Sequence, residues 1–383
     1  ETADCDSVVT RTTFNNSDGD LYCVDKFGSY MIFADAHDGH TPQKWANGDN
    51  NLTNLITTTD ATLYKFKFLA EWQRRVIGAY SNQTNGDLEI RWTGALPTWT
   101  DLEFVSANQL YKPTTDPITG LKPLGVNHLL LYGSNSINQI VYYASSSSPF
   151  GIIPQVQGEG AVHNASIVNA QGANWFFNKN MGFVRYVGGS RIIADDVISR
   201  SIESDIAGID SRYYDRIVGT YLPHTGRLCW SVPLSGTTTP SHFLYYDIEK
   251  KQWSIEDKVA KYIDTWTRAA GEYRKLVFAN TDGHTYQVTG ETLPGASNLD
   301  GYRIEPILDF GDAFNFKQVQ EVWFSIIDGG NYDLHLWYRG GDSVKEVTAA
   351  SWTAVGTLNL NSPSEPVFKQ IFQNHRLHQI KWG

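Results

Sequence analysis

The chain has 383 residues, 41% hydrophobic and 13% aromatic but only 19% charged, a mixture too rich in Trp, Tyr and Phe for a disordered protein. Its net charge of −10, from 31 basic and 41 acidic residues, excludes a chain drawn onto nucleic acid by counterion release, which needs clustered Lys and Arg. Three cysteines, Cys5, Cys23 and Cys229, with no C-x-x-C, exclude a disulfide framework and a zinc-finger pattern, although a Cys5–Cys23 bridge stays open.

The first 60 residues hold ten acids against Arg11, Lys26 and Lys44, and so carry most of the net charge. They read as an acidic, solvated segment, partly strand from about Leu21, that either completes the last sheet of a ring or forms an insertion. A surface that lets DNA slide past, or that meets a basic partner, is the sharper reading of the same charge. Within it, residues 37–60 have little apolar periodicity and read as a long loop. Asp35-Ala-His-Asp-Gly-His40 offers metal-ligand residue types, with His37 and His40 three apart, but its spacing fits neither an EF-hand nor a zinc finger. A polar hairpin tip explains it equally well, so no metal is assigned.

Tyr64-Lys-Phe-Lys-Phe68 alternates basic and aromatic residues, with Trp72, Arg74 and Arg75 close behind. Such interleaving can bind single strands, but it is also what a strand with one buried face looks like, and the second reading is preferred. Beyond it the chain is a series of hairpins. Val76–Tyr80 turns at Gln83-Thr-Asn-Gly-Asp87 into Leu88–Trp92, where Asn-Gly predicts a type I′ turn. Residues 106–125, with Pro113, Pro117 and Pro123, read as a second long loop. Leu129–Tyr132 pairs with Gln139–Tyr143. The stretches Ala165–Gly189, Arg216–Pro233 and Ser241–Ile255 are hairpins of aromatic and β-branched runs joined by polar turns. Leu276–Asn280 turns at Asp282-Gly283 into His284–Val288.

Candidate first strands near Leu21, Val76, Leu129, Trp175, Ile217, Leu276 and Val322 recur at intervals of 42 to 59 residues. That period suits one four-stranded blade with insertions. One helical exception, Val197–Ile209, puts Ile198, Ile202, Ile206 and Ile209 at helical spacing and predicts a short helix packed on a rim. The fold class expected is therefore all-β, a β-propeller of about six to eight four-stranded blades, with a short rim helix and long loop insertions. The expected domains are the acidic segment 1–60, a propeller body 61–300, and a final blade or appended β-sandwich 301–383. In the last of these, Tyr302–Phe310 and Val319–Ile327 are candidates to pair. The start at Glu1 reads as a processed or trimmed product, and the strand-like end Leu377–Trp382 reads as a chain that continues.

Signatures of chemistry are missing from the sequence. It has no phosphate-binding G-x-x-x-x-G-K-[ST], no G-x-G-x-x-G opening a helix, no H-E-x-x-H and no G-x-S-x-G. Thr281-Asp-Gly-His-Thr-Tyr286 places Asp and Gly side by side and fails as a sialidase Asp-box. Four N-x-[ST] sequons, at Asn15, Asn51, Asn82 and Asn164, are near the number expected by chance in a chain this rich in Asn, Ser and Thr. No catalytic, cofactor-binding or metal residue is assigned, no cofactor is expected, and no membrane insertion is expected.

The order of several segments carries a resemblance. Arg74–Tyr80, then Ile90-Arg-Trp-Thr93 with Leu96-Pro-Thr-Trp99, then Ser148-Pro-Phe-Gly-Ile152, Ser166–Val168 with Trp175–Phe177, Gly182-Phe-Val-Arg-Tyr186 and Asp247–Ser254 are similar to segments of β-propeller hub, nozzle or DNA-stabilisation proteins of short-tailed bacteriophages. The likeness spans about residues 72 to 256, and more weakly extends to about 327. It implies a structural virion protein without enzymatic activity, assembled in the host cytoplasm as a homo-oligomeric ring of six copies. It further implies portal, adaptor and other tail proteins as partners, attachment points for fibres or a needle, and packaged DNA passing through a channel without sequence-specific binding. The alternative is a carbohydrate- or host-receptor-binding propeller, for which Trp92, Trp99 and Trp266 are the candidate exposed residues. A propeller glycoside hydrolase, with two facing carboxylates, is the third reading.

Overall fold

The computed structural model describes residues 23–27, 30–34, 42–46, 53–55, 64–94, 104, 108–144, 148–234, 236–267, 273–280, 284–288, 303–305, 307–312, 314–324, 333–359 and 367–382. The chain divides into two compact units, residues 1–289 and 290–383.

Among the described residues the first unit is a run of six small antiparallel sheets, each formed by strands adjacent in the chain. The first sheet contains β1 (Cys23–Phe27), β2 (Tyr30–Ala34), β3 (Gln43–Ala46) and β4 (Thr53–Asn54). The second contains β5 (Phe66–Trp72), β6 (Arg75–Ser81), β7 (Glu89–Trp92) and β8 (Gln109–Tyr111). The third contains β9 (Ile118–Leu124), β10 (His128–Gly133), β11 (Ser136–Tyr142) and β12 (Phe150–Gln157). A three-stranded sheet follows, β13 (Val168–Ala170), β14 (Ala173–Asn178) and β15 (Gly182–Tyr186). The fifth contains β16 (Val218–Leu222), β17 (Arg227–Val232), β18 (His242–Asp247) and β19 (Gln252–Asp257). The sixth contains β20 (Tyr262–Trp266), β21 (Lys275–Ala279) and β22 (Thr285–Gln287).

Period-two patterning explains the burial. Along β5, Phe66 and Phe68 are buried while Lys67 between them is half-exposed, with its ammonium 4.1 Å from the Tyr80 ring centroid. Apolar clusters then join the sheets in chain order. One holds residues of the first three sheets, and another joins the third to the fourth. A third cluster joins the fourth to the fifth, and a fourth joins the fifth to the sixth. No single sheet has enough apolar area to bury alone, so each is stabilised by its neighbours. The first strands lie beside one another in the same order: β1 by β5, β5 by β9, β9 by β13, β13 by β16 and β16 by β20.

Several sequence expectations shift in detail. Val76, Leu129, Trp175 and Leu276 lie on the second strand of their sheets rather than the first. Residues 106–125 are not a long loop: β8 and β9 run through them, and Pro123 is tolerated because β9 has a ladder partner on only one side. Asn85 takes φ 58 but opens a 3₁₀ turn at Gly86–Leu88 rather than a type I′ turn. Positive φ at two successive turn residues, the type I′ requirement, occurs instead at Gln73–Arg74 and Gln171–Gly172. The predicted rim helix is broken into 3₁₀ turns around a single α-helical turn, α1 (Glu203–Ile206). Its isoleucines still serve the core, with Ile202, Ile206 and Ile209 buried and Ile198 packed against them. Leu21 and the Asp282–Gly283 turn lie outside the described residues.

The second unit has two sheets. One has the order β23 (Arg303–Ile304), β28 (Leu377–Trp382), β25 (Asp333–Gly341), β26 (Thr353–Asn359), and the other pairs β24 (Lys317–Phe324) with β27 (Val367–His375). Leu336, Tyr338, Ile371 and Ile380 form their shared core. Among the described residues, the segments 302–310 and 319–327 do not pair with each other; β23 pairs with β28, and β24 with β27. A short helix, α2 (Val344–Ala349), buries Val347.

Candidate functional site

The unpaired edges of the first strands in the first unit converge on two adjoining concavities. A strand at the start of a sheet presents N–H groups without a ladder partner, and burying them unmet costs free energy. Side chains from other sheets meet that need. On β5 the Leu69 N–H donates to Cys23 Sγ and the Cys23 thiol donates to the Leu69 carbonyl, both at 3.3 Å. Two residues on, the Glu71 N–H donates to Asp25 Oδ2 at 2.8 Å. On β9 the Leu121 N–H donates to Asn164 Oδ1 at 3.0 Å. Asn164 Nδ2 also reaches Cys23 Sγ, at 3.6 Å.

The larger concavity, of about 550 Å³, is lined by Asp25, Glu71, Trp72, Lys122 and Asn169 among others. The smaller, of about 50 Å³, is lined by Cys23, Phe68, Lys122, His163, Asn164 and Tyr262 among others. The lining mixes two carboxylates with one ammonium, and most of its polar groups are tied to backbone. Burial pushes the Cys23 thiol up, so it is no ready thiolate nucleophile. Burial, helped by Asp264 and Cys23, pushes the Tyr262 hydroxyl up to about 12. Among the described residues no group of three or more His, Cys, Asp or Glu is placed to hold a metal. His37 and His40 lie outside them.

Several of the other sequence candidates are absorbed into structure. Arg75 Nη1 donates to the Thr93 carbonyl at 2.8 Å, so the basic and aromatic stretch near Tyr64 serves its own sheet. Trp92 is 1% exposed and cannot stack on a sugar, because its ring packs edge-on against Phe150 at 5.1 Å. Trp266 is exposed, and Trp99 lies outside the described residues. Asn164 is buried, which closes that sequon in the folded protein. Nothing in the sequence marks Asp25 or Asn164 as caps for another sheet's edge, since the pairing depends on distant strands.

The segments that carried the resemblance meet one another. Phe150, from Ser148-Pro-Phe-Gly-Ile152 on the third sheet, packs against Trp92 of Ile90-Arg-Trp-Thr93 on the second. Trp72 joins them at 5.6 Å. Phe183, from Gly182–Tyr186, lies 5.3 Å from Trp253 of Asp247–Ser254, and 4.5 Å from Trp230. Arg91 beside Trp92 is buried as well, ion-paired to Glu89 at 2.6 Å and stacked 4.2 Å from the Tyr64 ring centroid.

No family model matches the chain, and no curated protein matches it by sequence. Among solved structures, a catalytically inactive virginiamycin B lyase from Staphylococcus aureus with quinupristin is similar at 11% identity and a TM-score of 0.41, covering 70% of this chain and 83% of its own. Hsv2 from Kluyvelomyces marxianus is similar at 8% identity and a TM-score of 0.34, covering 73% and 75%. Both likenesses are too distant to bear on function.

Proposed function

We propose that the first unit is a closed six-bladed β-propeller and that the protein is a structural part of a bacteriophage tail, a hub or nozzle component. The six sheets are the blades, and their first strands are the inner strands around an axis. Tyr262 of the sixth sheet shares the small concavity with Cys23 of the first, which supports closure of the ring. The tail reading rests on the resemblance, and one observation carries it. The resembling segments pair across neighbouring sheets, Trp92 with Phe150 and Phe183 with Trp253, so they are coupled core positions rather than scattered matches.

In this reading six copies form a ring below the portal and adaptor, extend the DNA channel, retain the packaged genome and anchor fibres or a needle. The acidic balance of the chain keeps DNA from being held by its phosphates. Assembly takes place in the host cytoplasm, and the protein's place is the virion tail rather than a catalytic cycle. Negative-stain microscopy of the native-length protein, alone and with its adaptor, should show rings, and immunogold should label the tails of virions. Absence of rings together with unlabelled virions would overturn the reading.

A further inference from the structure

The second unit presents a surface that the tail reading leaves without a role. β24 and β27 turn Val319, Val322, Phe324 and Ile371 toward the shared core. Their outer face carries a two-by-two block of side chains: Trp323 lies directly opposite Phe368, and Glu321 directly opposite Gln370. The two rings stack with centroids 4.6 Å apart and planes 24° from parallel. Each ring thus covers one face of the other, yet Trp323 remains 57% and Phe368 42% exposed. Phe372 on the same strand as Phe368 is exposed too. Single exposed aromatics need no explanation, whereas a contiguous exposed pair of large rings marks a binding surface.

The polar half of the block is held in place by the aromatic half. Trp323 Nε1–H donates to Glu321 Oε2 at 3.1 Å, and Gln370 Nε2 donates to Glu321 Oε1 at 3.4 Å. An ionised carboxylate has about four acceptor sites, so two stay available for further donors. The exposed indole therefore directly adjoins a carboxylate that it helps to orient, with the Gln370 amide on that carboxylate's other oxygen.

We propose that this face binds a neutral pyranose oligosaccharide. A pyranose has an apolar C–H face, which stacks on an aromatic ring, and a rim of hydroxyl donors, which a carboxylate and an amide accept and return. Glu321 disfavours an anionic ligand at the same spot. The core of a protein–protein interface, in contrast, is depleted in Glu, whereas here Glu321 is bonded directly to the central Trp.

Native electrophoresis of the full chain through gels containing dextran, laminarin, xyloglucan, glucomannan or galactomannan tests this. The wild-type protein should be retarded by at least one of them. Trp323→Ala should raise the dissociation constant at least tenfold, Glu321→Ala should raise it severalfold, and Tyr111→Ala, at an exposed aromatic of the first unit, should leave it unchanged. Should Trp323→Ala fail to fold, Glu321→Ala and Gln370→Ala carry the test, since both side chains lie on the outer face. Retardation by none of the five polymers, or retardation indifferent to Glu321→Ala, overturns the proposal. Self-association in sedimentation that Trp323→Ala abolishes, with no retardation, also overturns it and assigns the face to contact between copies.

Discussion

Replacing Asn164 by Ala removes one acceptor from the inner edge of β9 and nothing else of consequence. Its Oδ1 takes the Leu121 N–H at 3.0 Å, and Asn164 is only 5% exposed. A buried donor left unmet costs about 1–3 kcal/mol, and the weak 3.6 Å contact to Cys23 Sγ adds little. We therefore expect about 2 kcal/mol of destabilisation. For a unit of this size that lowers the melting temperature by roughly 3 °C. Urea unfolding followed by tryptophan fluorescence should show a lower midpoint with an unchanged slope. Asn180→Ala, on an exposed turn, should stay within about 0.5 kcal/mol of wild type. Adding Cys23→Ala in a double-mutant cycle should give a coupling below about 0.5 kcal/mol, because the Asn164–Cys23 contact is long. If Asn164→Ala is no more destabilising than Asn180→Ala, side-chain capping of strand edges is not what fixes the sheets to one another.

Lys112, whose side chain is fully buried, bonds Asp116 at 2.8 Å and Ser136 at 3.0 Å, so Lys112→Met should cost about 3–5 kcal/mol in urea unfolding, and adding Asp116→Leu should recover little of it, because Asp116 also accepts the Asn135 N–H at 2.9 Å and the Ser136 hydroxyl. Gly219→Ala should destabilise by about 1–3 kcal/mol, because a Cβ there collides with the Trp230 indole and Val168 Cγ2. In the second unit His378 lies 2.7 Å from Tyr338 Oη through Nδ1 and 2.9 Å from the His375 carbonyl through Nε2, and burial first, then His375 and Lys317, lower its pKa. The unfolded chain then takes up the proton first, so this stability is full above about pH 6.5 and is lost as pH falls through the folded value. Protection factors for hydrogen exchange in β25 and β28, corrected for the intrinsic slowing of exchange at lower pH, should fall between pH 7.5 and 5.5 in wild type but much less in His378→Gln. Burial raises the pKa of both Cys23 and Cys229, so peptide mass spectrometry should find both unalkylated by iodoacetamide until urea unfolds the chain.

The hairpins were legible because their signals are local. Gly172 and Gly226 mark turns at φ 74 and φ 65, and the runs around Trp175, Trp230 and Phe243 alternate or stay apolar as buried strands do. Strands such as β8 and β9 were not legible, since Gln109-Leu-Tyr111 is short and Pro123 looks like a breaker until the one-sided pairing of β9 is known. The isoleucines at helical spacing from Ile198 to Ile209 were read correctly as core and wrongly as one helix. Successive 3₁₀ turns place residues at nearly the same intervals, so the pattern cannot separate the two. Trp92 misled for a different reason. Exposure is set by Phe150 on another sheet, and no local rule reports it.

The edge contacts also bear on where recognition can lie. Apolar packing alone tolerates sliding of one small sheet over the next, whereas a hydrogen bond to a named backbone group does not. Asp25 and Cys23 fix the first sheet to the second, and Asn164 fixes the turn before the fourth sheet to the third. Trp230 Nε1 donates to the Ser166 carbonyl at 3.0 Å and Ser231 Oγ to the Ala260 carbonyl at 2.7 Å, continuing the series to the segment before the sixth sheet. Many polar side chains near the first strands are thereby committed to holding the unit together. In the second unit, Glu321, Trp323 and Gln370 bond chiefly one another and remain open to solvent. A scaffold whose inner polar groups are spent on its own edges leaves recognition to surfaces of the second kind.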